Sequence, residues 1–129
     1  MQLLRDFSFL LYYKLEILLV VMFFFHWLFD FYCQVDGDKK HKDNDVLFYH
    51  TIYYSLMMTV AYTIMTYVLS MYCNPHFFTV TLVSHTTTDY LTSRWNARTL
   101  ELYGPGKKLV NQIGFDQWLH HAQLLITMV

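Results

Sequence analysis

The chain has 129 residues, of which 55% are hydrophobic, 19% aromatic and only 15% charged. A soluble domain of this length must cover a large surface with polar groups, and this composition supplies few of them. The net charge of -1 at pH 7 argues against a nucleic-acid-binding protein, which would show a basic stripe. Length and composition together predict one domain, residues 1–129, that lies in a membrane.

Four apolar runs follow one another along the chain, and each predicts a helix. The first two, residues 15–33 and 48–73, reach the roughly 20 residues that a spanning helix needs. The third and fourth, residues 77–92 and 113–129, are shorter, so they either cross with tilt or stop partway. The segment 3–13 either extends the first helix or lies in the interface. We therefore predict an all-α fold, an antiparallel four-helix transmembrane bundle of a polytopic membrane protein.

Three connections join these runs and differ in charge. The first, residues 34–46, is charged, and the second is a tight turn at 74–76, where Pro75 is expected to end the second helix. The third, residues 93–112, is basic and is broken by a Gly-Pro-Gly sequence at 104–106. Seven lysines and arginines lie in the first and third connections, against two near the N-terminus. Because such residues favour the cytoplasmic side, we predict that the first and third connections face the cytoplasm and that both termini lie on the other side of the membrane.

Histidine and aspartate recur four residues apart inside three of the four runs, and the second run adds one histidine near its start. Four residues make about one helical turn, so the two members of each pair share a face of their helix. Histidine and aspartate are costly in a bilayer and usually face the interior of a bundle or a cavity. The candidate site residues are His26, Asp30, His50, His85, Asp89, Asp116 and His120.

All seven candidates are expected in the same half of the bundle. Neighbouring helices of an up-and-down bundle run in opposite directions. The pairs on the first and third runs lie towards the ends of those helices, and the others lie at the starts of the second and fourth. The half they share is the one next to the two basic connections, whichever way the N-terminus points.

Such a set of side chains is suited to a metal. Neutral imidazole and carboxylate bind zinc, manganese or iron, and two pairs could supply four ligands from two helices. Seven candidates exceed one tetrahedral site, so we predict one or two divalent ions, zinc first, with some carboxylates orienting histidines. A metal here would activate water for attack on an ester or phosphoester. Either Asp30 or Asp116, whichever is not needed as a ligand, would be the general base.

Polar residues beside the cluster are candidates for contacts with a phosphate or lipid headgroup. Gln34 and Gln117 lie close to the aspartates in sequence and could bond to ligands or substrate, although a polar helix end explains them as well. Arg94, together with Lys39, Lys40 and Arg98, could hold a phosphate, and positive-inside anchoring is the alternative. The expected partners are therefore the lipid bilayer and a phospholipid or lipid-linked phosphate, and a homo-oligomer is compatible with four short helices.

The order of these motifs resembles a family of small bacterial and phage membrane proteins known as a domain of unknown function. The resemblance rests on "HWLFDFYCQ", a helix with the single His50, "HTTTDYLTSR" and "DQWLH", and it covers nearly the whole chain. It implies a polytopic protein of the bacterial inner membrane, with both termini in the periplasm and with these histidines and aspartates as its signature. More distantly, the chain is similar to membrane-bound metal-dependent hydrolases, which in turn resemble all-helical zinc phospholipases and nucleases.

Three functions are compatible with this pattern. The first is a membrane-embedded metal-dependent hydrolase that opens to the cytoplasmic face and cleaves a phosphoester, for example a phospholipid headgroup. The second is a non-enzymatic phage or bacterial protein that alters the host envelope, as in superinfection exclusion, with a structural polar cluster. The third is transport of metal or protons, which is disfavoured because the outer half offers only residues such as Thr59, Tyr62 and Thr63.

Overall fold

The computed structural model describes residues 2–33 and 39–128 of the chain. Within these ranges the chain forms helices joined by turns and bends, with no strand, so the predicted all-α fold is confirmed for them. The elements are α1 (Gln2–Trp27), a π-helical segment (Leu28–Tyr32), α2 (Asn44–Val68), α3 (Phe77–Tyr103) and α4 (Lys107–Met128).

The first helical element runs without a break from α1 into the π-helical segment. The segment 3–13 therefore extends the first helix, which is one of the two alternatives that the sequence left open. At its other end the amide of Cys33 donates to the carbonyl of Leu28 over 2.9 Å, a bond that spans five residues. A π-helical turn is rare, is found often at functional sites, and changes the direction of the side chains in it. Asp30 lies in this turn.

The ends of α2 differ from the prediction of 48–73. The helix begins at Asn44 because the Asp43 side chain accepts hydrogen bonds from two amides of the first turn, as an N-cap residue does. It ends at Val68, and Ser70 two residues later has a φ of 52°, in the left-handed region. The expectation that Pro75 ends this helix is therefore wrong, because the chain has already left the helix several residues earlier.

The prediction of a basic loop at 93–112 is also wrong, because most of these residues are helical. α3 continues to Tyr103 and α4 begins at Lys107, so the connection shrinks to the Gly-Pro-Gly sequence at 104–106. Residues 93–103 contain neither glycine nor proline, and nothing in them breaks a helix. Gly104 then adopts a φ of 70°, which glycine tolerates without strain. The end of an apolar run therefore marked a change in polarity and not the end of the helix.

The helices pack as a bundle in which α3 contacts α2 and α4, and α1 contacts the same two helices. The short connections make consecutive helices antiparallel neighbours. The apolar core is built from the second half of α2, the start of α3, the end of α4 and the middle of α1. Its largest members include Met22, Met58, Tyr62 and Phe77. The other half of the bundle holds the polar cluster.

The outer surface of the bundle is rich in apolar side chains. On length and composition alone, one helix among the described residues, Phe9–Tyr32, could cross a membrane. Large exposed apolar side chains occur on the other helices as well, for example Ile64 on α2, Val83 on α3 and Ile126 on α4. Such a surface is unusual for a soluble monomer and typical of an interaction or membrane surface.

Candidate metal centre

The structure brings all seven sequence-predicted histidines and aspartates into one cluster. Six of them are buried, and Asp116 is partly exposed. Their ligand atoms form three overlapping groups that could hold a metal ion, and within each group these atoms lie no more than 4.8 Å apart. The groups are Asp30 with His50, His85 and Asp89; His26 with Asp30 and His120; and Asp89 with Asp116 and His120.

The first group has the dimensions of a tetrahedral site. His50 Nε2 lies 3.1 Å from Asp30 Oδ1 and 3.3 Å from Asp89 Oδ2. His85 Nε2 lies 3.5 Å from Asp30 Oδ1 and 3.7 Å from Asp89 Oδ2, and the two Nε2 atoms are 3.4 Å apart. A tetrahedral zinc ion with bonds of about 2.0–2.1 Å holds its ligand atoms about 3.3–3.4 Å apart. The four side chains therefore fit a divalent ion.

Three elements position this four-residue group. The π-helical segment supplies Asp30, the second turn of α2 supplies His50, and α3 supplies His85 and Asp89 one turn apart. The ring of Tyr54 stacks on the imidazole of His85 with centroids 3.7 Å apart and an interplanar angle of 10°. This contact fixes the plane of the His85 ring, so its Nε2 points towards the two carboxylates.

The second nitrogen of His85 faces a different environment. His85 Nδ1 is buried and has no hydrogen-bond partner among the residues that the structure describes. It lies beside a small cavity of about 10 Å³ that Thr81 also lines, and the Thr81 hydroxyl is likewise unpartnered. A cavity of this size has room for about one water molecule. A water there would bridge His85 Nδ1 to the Thr81 hydroxyl and hold the orientation of the ring.

His120 on α4 is arranged as metal-binding histidines usually are. Its Nδ1 donates to the carbonyl oxygen of Asp116 over 2.9 Å, so that Nε2 points into the cluster. Nε2 lies 3.2 Å from Asp89 Oδ1 without forming a hydrogen bond. Histidines that ligate a metal typically donate their other N–H to a carbonyl or carboxylate in this way.

Asp89 links two of the three groups. One of its oxygens faces His50 and His85, and the other faces His120. A carboxylate that presents one oxygen to each of two ligand sets is the geometry of a bridging ligand. The first group therefore has room beside it for a second ion position, made of Asp89, His120 and Asp116.

His26 has hydrogen bonds at both ring nitrogens. The Tyr54 hydroxyl lies 2.8 Å from Nδ1, and Nε2 lies 3.0 Å from Gln117 Oε1. Because an amide oxygen only accepts, Nε2 carries the proton and Nδ1 accepts from Tyr54. Asp30 Oδ2 is 3.9 Å from Nε2, beyond a hydrogen bond. In this arrangement His26 supports the cluster, and Gln117 contacts it through His26 and by donating to Asp116 Oδ2 over 3.5 Å.

Removing the Tyr54 hydroxyl tests this supporting role. We expect Tyr54→Phe to lower the free energy of unfolding by about 1–3 kcal/mol, because it leaves buried His26 Nδ1 without its donor while the stack on His85 remains. Tyr53→Phe, on the exposed side of the same helix, is the matched control and should change stability by less than about 0.5 kcal/mol. Denaturant unfolding of both variants measures the difference in the free energy of unfolding. Equal values for Tyr54→Phe and Tyr53→Phe would refute the supporting role of the bond between Tyr54 and His26.

Lys40 enters the cluster from the connection between the π-helical segment and α2. Its ammonium group lies 2.8 Å from Asp89 Oδ2, and only 17% of the side chain is exposed. Burial lowers the pKa of Lys40, but the nearby carboxylates of Asp89 and Asp30 outweigh it, and the net effect raises the pKa above its usual value. Lys40 is therefore a cation that offsets part of the charge of the buried carboxylates.

Lys40 and Tyr54 are the two site residues that the sequence analysis missed. Tyr54 follows His50 by four residues, so helical spacing places both on the same face and could have identified it. Lys40 lies in a connection without periodicity and was interpreted as a possible phosphate contact or as positive-inside charge, and not as part of the cluster. Its approach to Asp89 depends on the path of the connection, which a sequence pattern does not give.

The residues predicted to contact a headgroup do not form one group in the structure. Arg94 donates to the carbonyl of Tyr90 over 3.0 Å and to the side chain of Asn44 over 2.7 Å, which ties α3 to the start of α2. Lys39 is exposed in the turn before α2, and Gln34 lies outside the described residues. A role of Gln34, Lys39, Arg94 or Gln117 in binding a headgroup stays a prediction.

No protein-family model, curated protein or solved structure matches this chain. The motif resemblance to a membrane-protein family therefore stays a prediction. Function has to be inferred from the site itself, where buried imidazole and carboxylate groups could hold a metal ion.

Proposed function

We propose that this protein is a membrane-embedded, metal-dependent hydrolase that cleaves a phosphoester, such as a phospholipid headgroup or a lipid-linked phosphate. The observation that carries the proposal is the buried group of Asp30, His50, His85 and Asp89, whose ligand atoms are spaced as a tetrahedral ion requires. Two buried carboxylates need compensating charge. Lys40 supplies one positive charge, and a divalent cation supplies the remainder.

Each cluster residue has a proposed role. Asp30, His50, His85 and Asp89 hold the first ion, with zinc ahead of manganese and iron because two imidazoles and two carboxylates suit it. Asp89, His120 and Asp116 make the second position, and His26 holds Tyr54 and Gln117 in place. When bound, a divalent ion supplies Lewis acidity, which makes water a better nucleophile at neutral pH and draws charge from a phosphoryl oxygen.

When only the first ion is bound, Asp116 is not needed as a ligand and is the better of the two candidates for the general base. Asp30 Oδ1 faces His50 and His85 and is needed in the four-residue group. The Asp116 side chain is 14% exposed, which is more than Asp30 or Asp89, and its Oδ1 has no hydrogen-bond partner within the described part of the chain. A partly exposed carboxylate that has an oxygen without a hydrogen-bond partner can accept a proton from water.

The distribution of polar and apolar side chains supports a multi-pass membrane location. Buried positions on α2 and α3 are taken by hydrogen-bonded residues such as Thr51, Thr66 and Thr92, whereas Val20 and Ile126 are 69% and 75% exposed. In water this arrangement exposes apolar surface at a cost, but in lipid an apolar exterior and a hydrogen-bonded polar interior are what a bundle requires. We infer that all four helices lie in the bilayer.

The cluster is proposed to face the cytoplasm, with both termini on the other side of the membrane. Lysines and arginines flank the cluster half of the bundle, in the connection before α2 and around the 104–106 break. α3 has 27 residues and is therefore about 40 Å long, which exceeds the roughly 30 Å of a hydrocarbon core. Its C-terminal turns then extend to the headgroup level.

Phosphoester hydrolysis by purified protein tests this proposal. We expect the zinc-loaded protein in mild detergent to release phosphate-containing products from phosphatidylethanolamine, phosphatidylglycerol or a polyprenyl phosphate in mixed micelles, followed by ³¹P NMR. A chelator should abolish the release and added zinc should restore it, because the ion supplies the Lewis acid.

The Asp89→Asn variant distinguishes this activity from a contaminant. It should be inactive, whereas Asp45→Asn, an exposed carboxylate in the first turn of α2, should retain full activity. Metal binding without hydrolysis of any of these probes would refute the hydrolase. Loss of folding alone in Asp89→Asn, with a metal-free wild type, would favour the cluster as interhelical hydrogen-bond support.

A further inference from the structure

A second cavity, of about 510 Å³, lies next to the histidine and aspartate cluster. It is open on one side and lined by the connection before α2, the C-terminal turns of α3 and the first turns of α4. Its volume falls within the range of about 300–1,000 Å³ that small-molecule sites occupy. The cavity is therefore large enough for the polar headgroup of a lipid.

Lys40 stands between the cavity and the cluster and contacts both. Lys40 lines the cavity, and its ammonium group bonds to Asp89 in the cluster. Along α3, Asp89, Ser93 and Asn96 are separated by four and three residues and so share one face of the helix. Ser93 and Asn96 line the cavity, so a ligand in it would reach the cluster along this face.

The polar groups of the cavity carry charges of both signs. Lys40 and Lys42 supply ammonium groups, and Glu101 supplies a carboxylate. Ser93 Oγ and Asn96 Oδ1 are shielded from solvent and have no hydrogen-bond partner in the part of the chain that the structure describes. Buried polar atoms without partners are rare in folded proteins, and these two mark polar positions in the cavity wall.

We propose that this cavity binds the headgroup of a zwitterionic phospholipid, with its phosphate against Lys40 and Lys42 and its amine against Glu101. The inference rests on the proposed membrane location and deepens the proposed function, because it names the substrate class. Ammonium groups and a hydroxyl suit a phosphate, and an exposed carboxylate suits a primary amine. The C-terminal turns of α3, which carry Ser93, Asn96 and Glu101, extend to the level where such headgroups lie.

Binding is measured without turnover, so that it can fail or succeed independently of hydrolysis. Native mass spectrometry of the detergent-purified protein in chelator would compare dihexanoyl phosphatidylethanolamine, dihexanoyl phosphatidylglycerol and inorganic phosphate. We expect the wild type to bind phosphatidylethanolamine about three- to tenfold more tightly than phosphatidylglycerol, and inorganic phosphate more weakly than both.

Two exposed residues of the cavity supply the variants. Lys42→Gln should weaken the binding of both lipids. Glu101→Gln should weaken only the binding of phosphatidylethanolamine, whose affinity should fall to that of phosphatidylglycerol. Lys108→Gln and Glu16→Gln are matched controls outside the cavity lining and should change neither affinity. Because Lys42 and Glu101 are exposed, neither change should unfold the protein.

Several outcomes would overturn the headgroup site. Equal affinity of the wild type for the two lipids would refute the contact between the amine and Glu101. Unchanged lipid binding in Lys42→Gln would refute the contact between the phosphate and Lys42. Inorganic phosphate bound as tightly as phosphatidylethanolamine would indicate a site for free phosphate. If the lipids bind as expected but no phosphoester is cleaved, the headgroup site stands and the hydrolase is refuted.

Discussion

Asp116→Asn is expected to reduce phosphoester hydrolysis by about 10²–10⁴-fold while the protein keeps its first bound ion. An amide is close to the carboxylate in size but cannot take a proton from water at neutral pH. Asp116 lies outside the four-residue group of Asp30, His50, His85 and Asp89, so that group should stay intact. Turnover at saturating zinc, measured together with the metal content of the same sample, gives both quantities.

The paired measurement separates the two roles that the sequence left open for Asp116. Activity equal to the wild type would remove Asp116 as the base. Loss of all bound metal would instead make Asp116 essential for ligation. Asp45→Asn, with the same chemical change at an exposed position of α2, should leave both activity and metal content unchanged.

Removing the metal is expected to lower the thermal unfolding midpoint by roughly 10 °C. An ion present at about 1,000 times its dissociation constant stabilises the folded state by about 4 kcal/mol. Without it, the carboxylates of Asp30 and Asp89 are buried close together, with Lys40 as the nearby cation. Unfolding in detergent with chelator, and again after zinc is restored, measures the shift.

The double variant His85→Ala/Asp89→Ala is the control for this measurement. It removes two of the four ligands from α3, so its unfolding midpoint should not respond to zinc or to chelator. A wild type whose midpoint is the same in chelator and in zinc would show that the cluster derives no stability from an ion. A response of equal size in the double variant would locate the metal elsewhere.

The grouping of the cluster could be predicted from the sequence because it depends on two simple regularities. Residues four apart share a face of a helix, which pairs His85 with Asp89 and Asp116 with His120. Antiparallel neighbours alternate in direction, which brings the end of one helix level with the start of the next. These regularities survive errors of several residues in the helix ends, so the cluster forms although the predicted ends were wrong.

The details that depend on the backbone path could not be predicted. The π-helical turn that carries Asp30 has no pattern of its own in the apolar run around it. The extension of α3 to Tyr103 was missed because hydropathy reports polarity, and a polar segment can be as helical as an apolar one. Lys40 reaches Asp89 by the course of a short connection, which no periodicity records.

The different roles of the histidines in the cluster could be assigned only from the structure. The sequence treats the histidines alike, but His26 is hydrogen-bonded at both nitrogens, whereas His85 and His120 each present Nε2 to carboxylates. Only the structure distinguishes a ring that is already bonded at both nitrogens from rings whose Nε2 faces carboxylates. The role of all these residues as ligands stays a prediction until metal is measured.

The metal content of the purified protein tests the central claim most directly. The wild type would be purified in mild detergent without chelator or histidine tag, beside His85→Ala/Asp89→Ala, and both analysed by elemental mass spectrometry. We expect one or two equivalents of zinc, manganese or iron in the wild type and none in the variant. A well-folded wild type without bound metal, which also takes up none when zinc is added, would contradict the metal centre and the hydrolase with it.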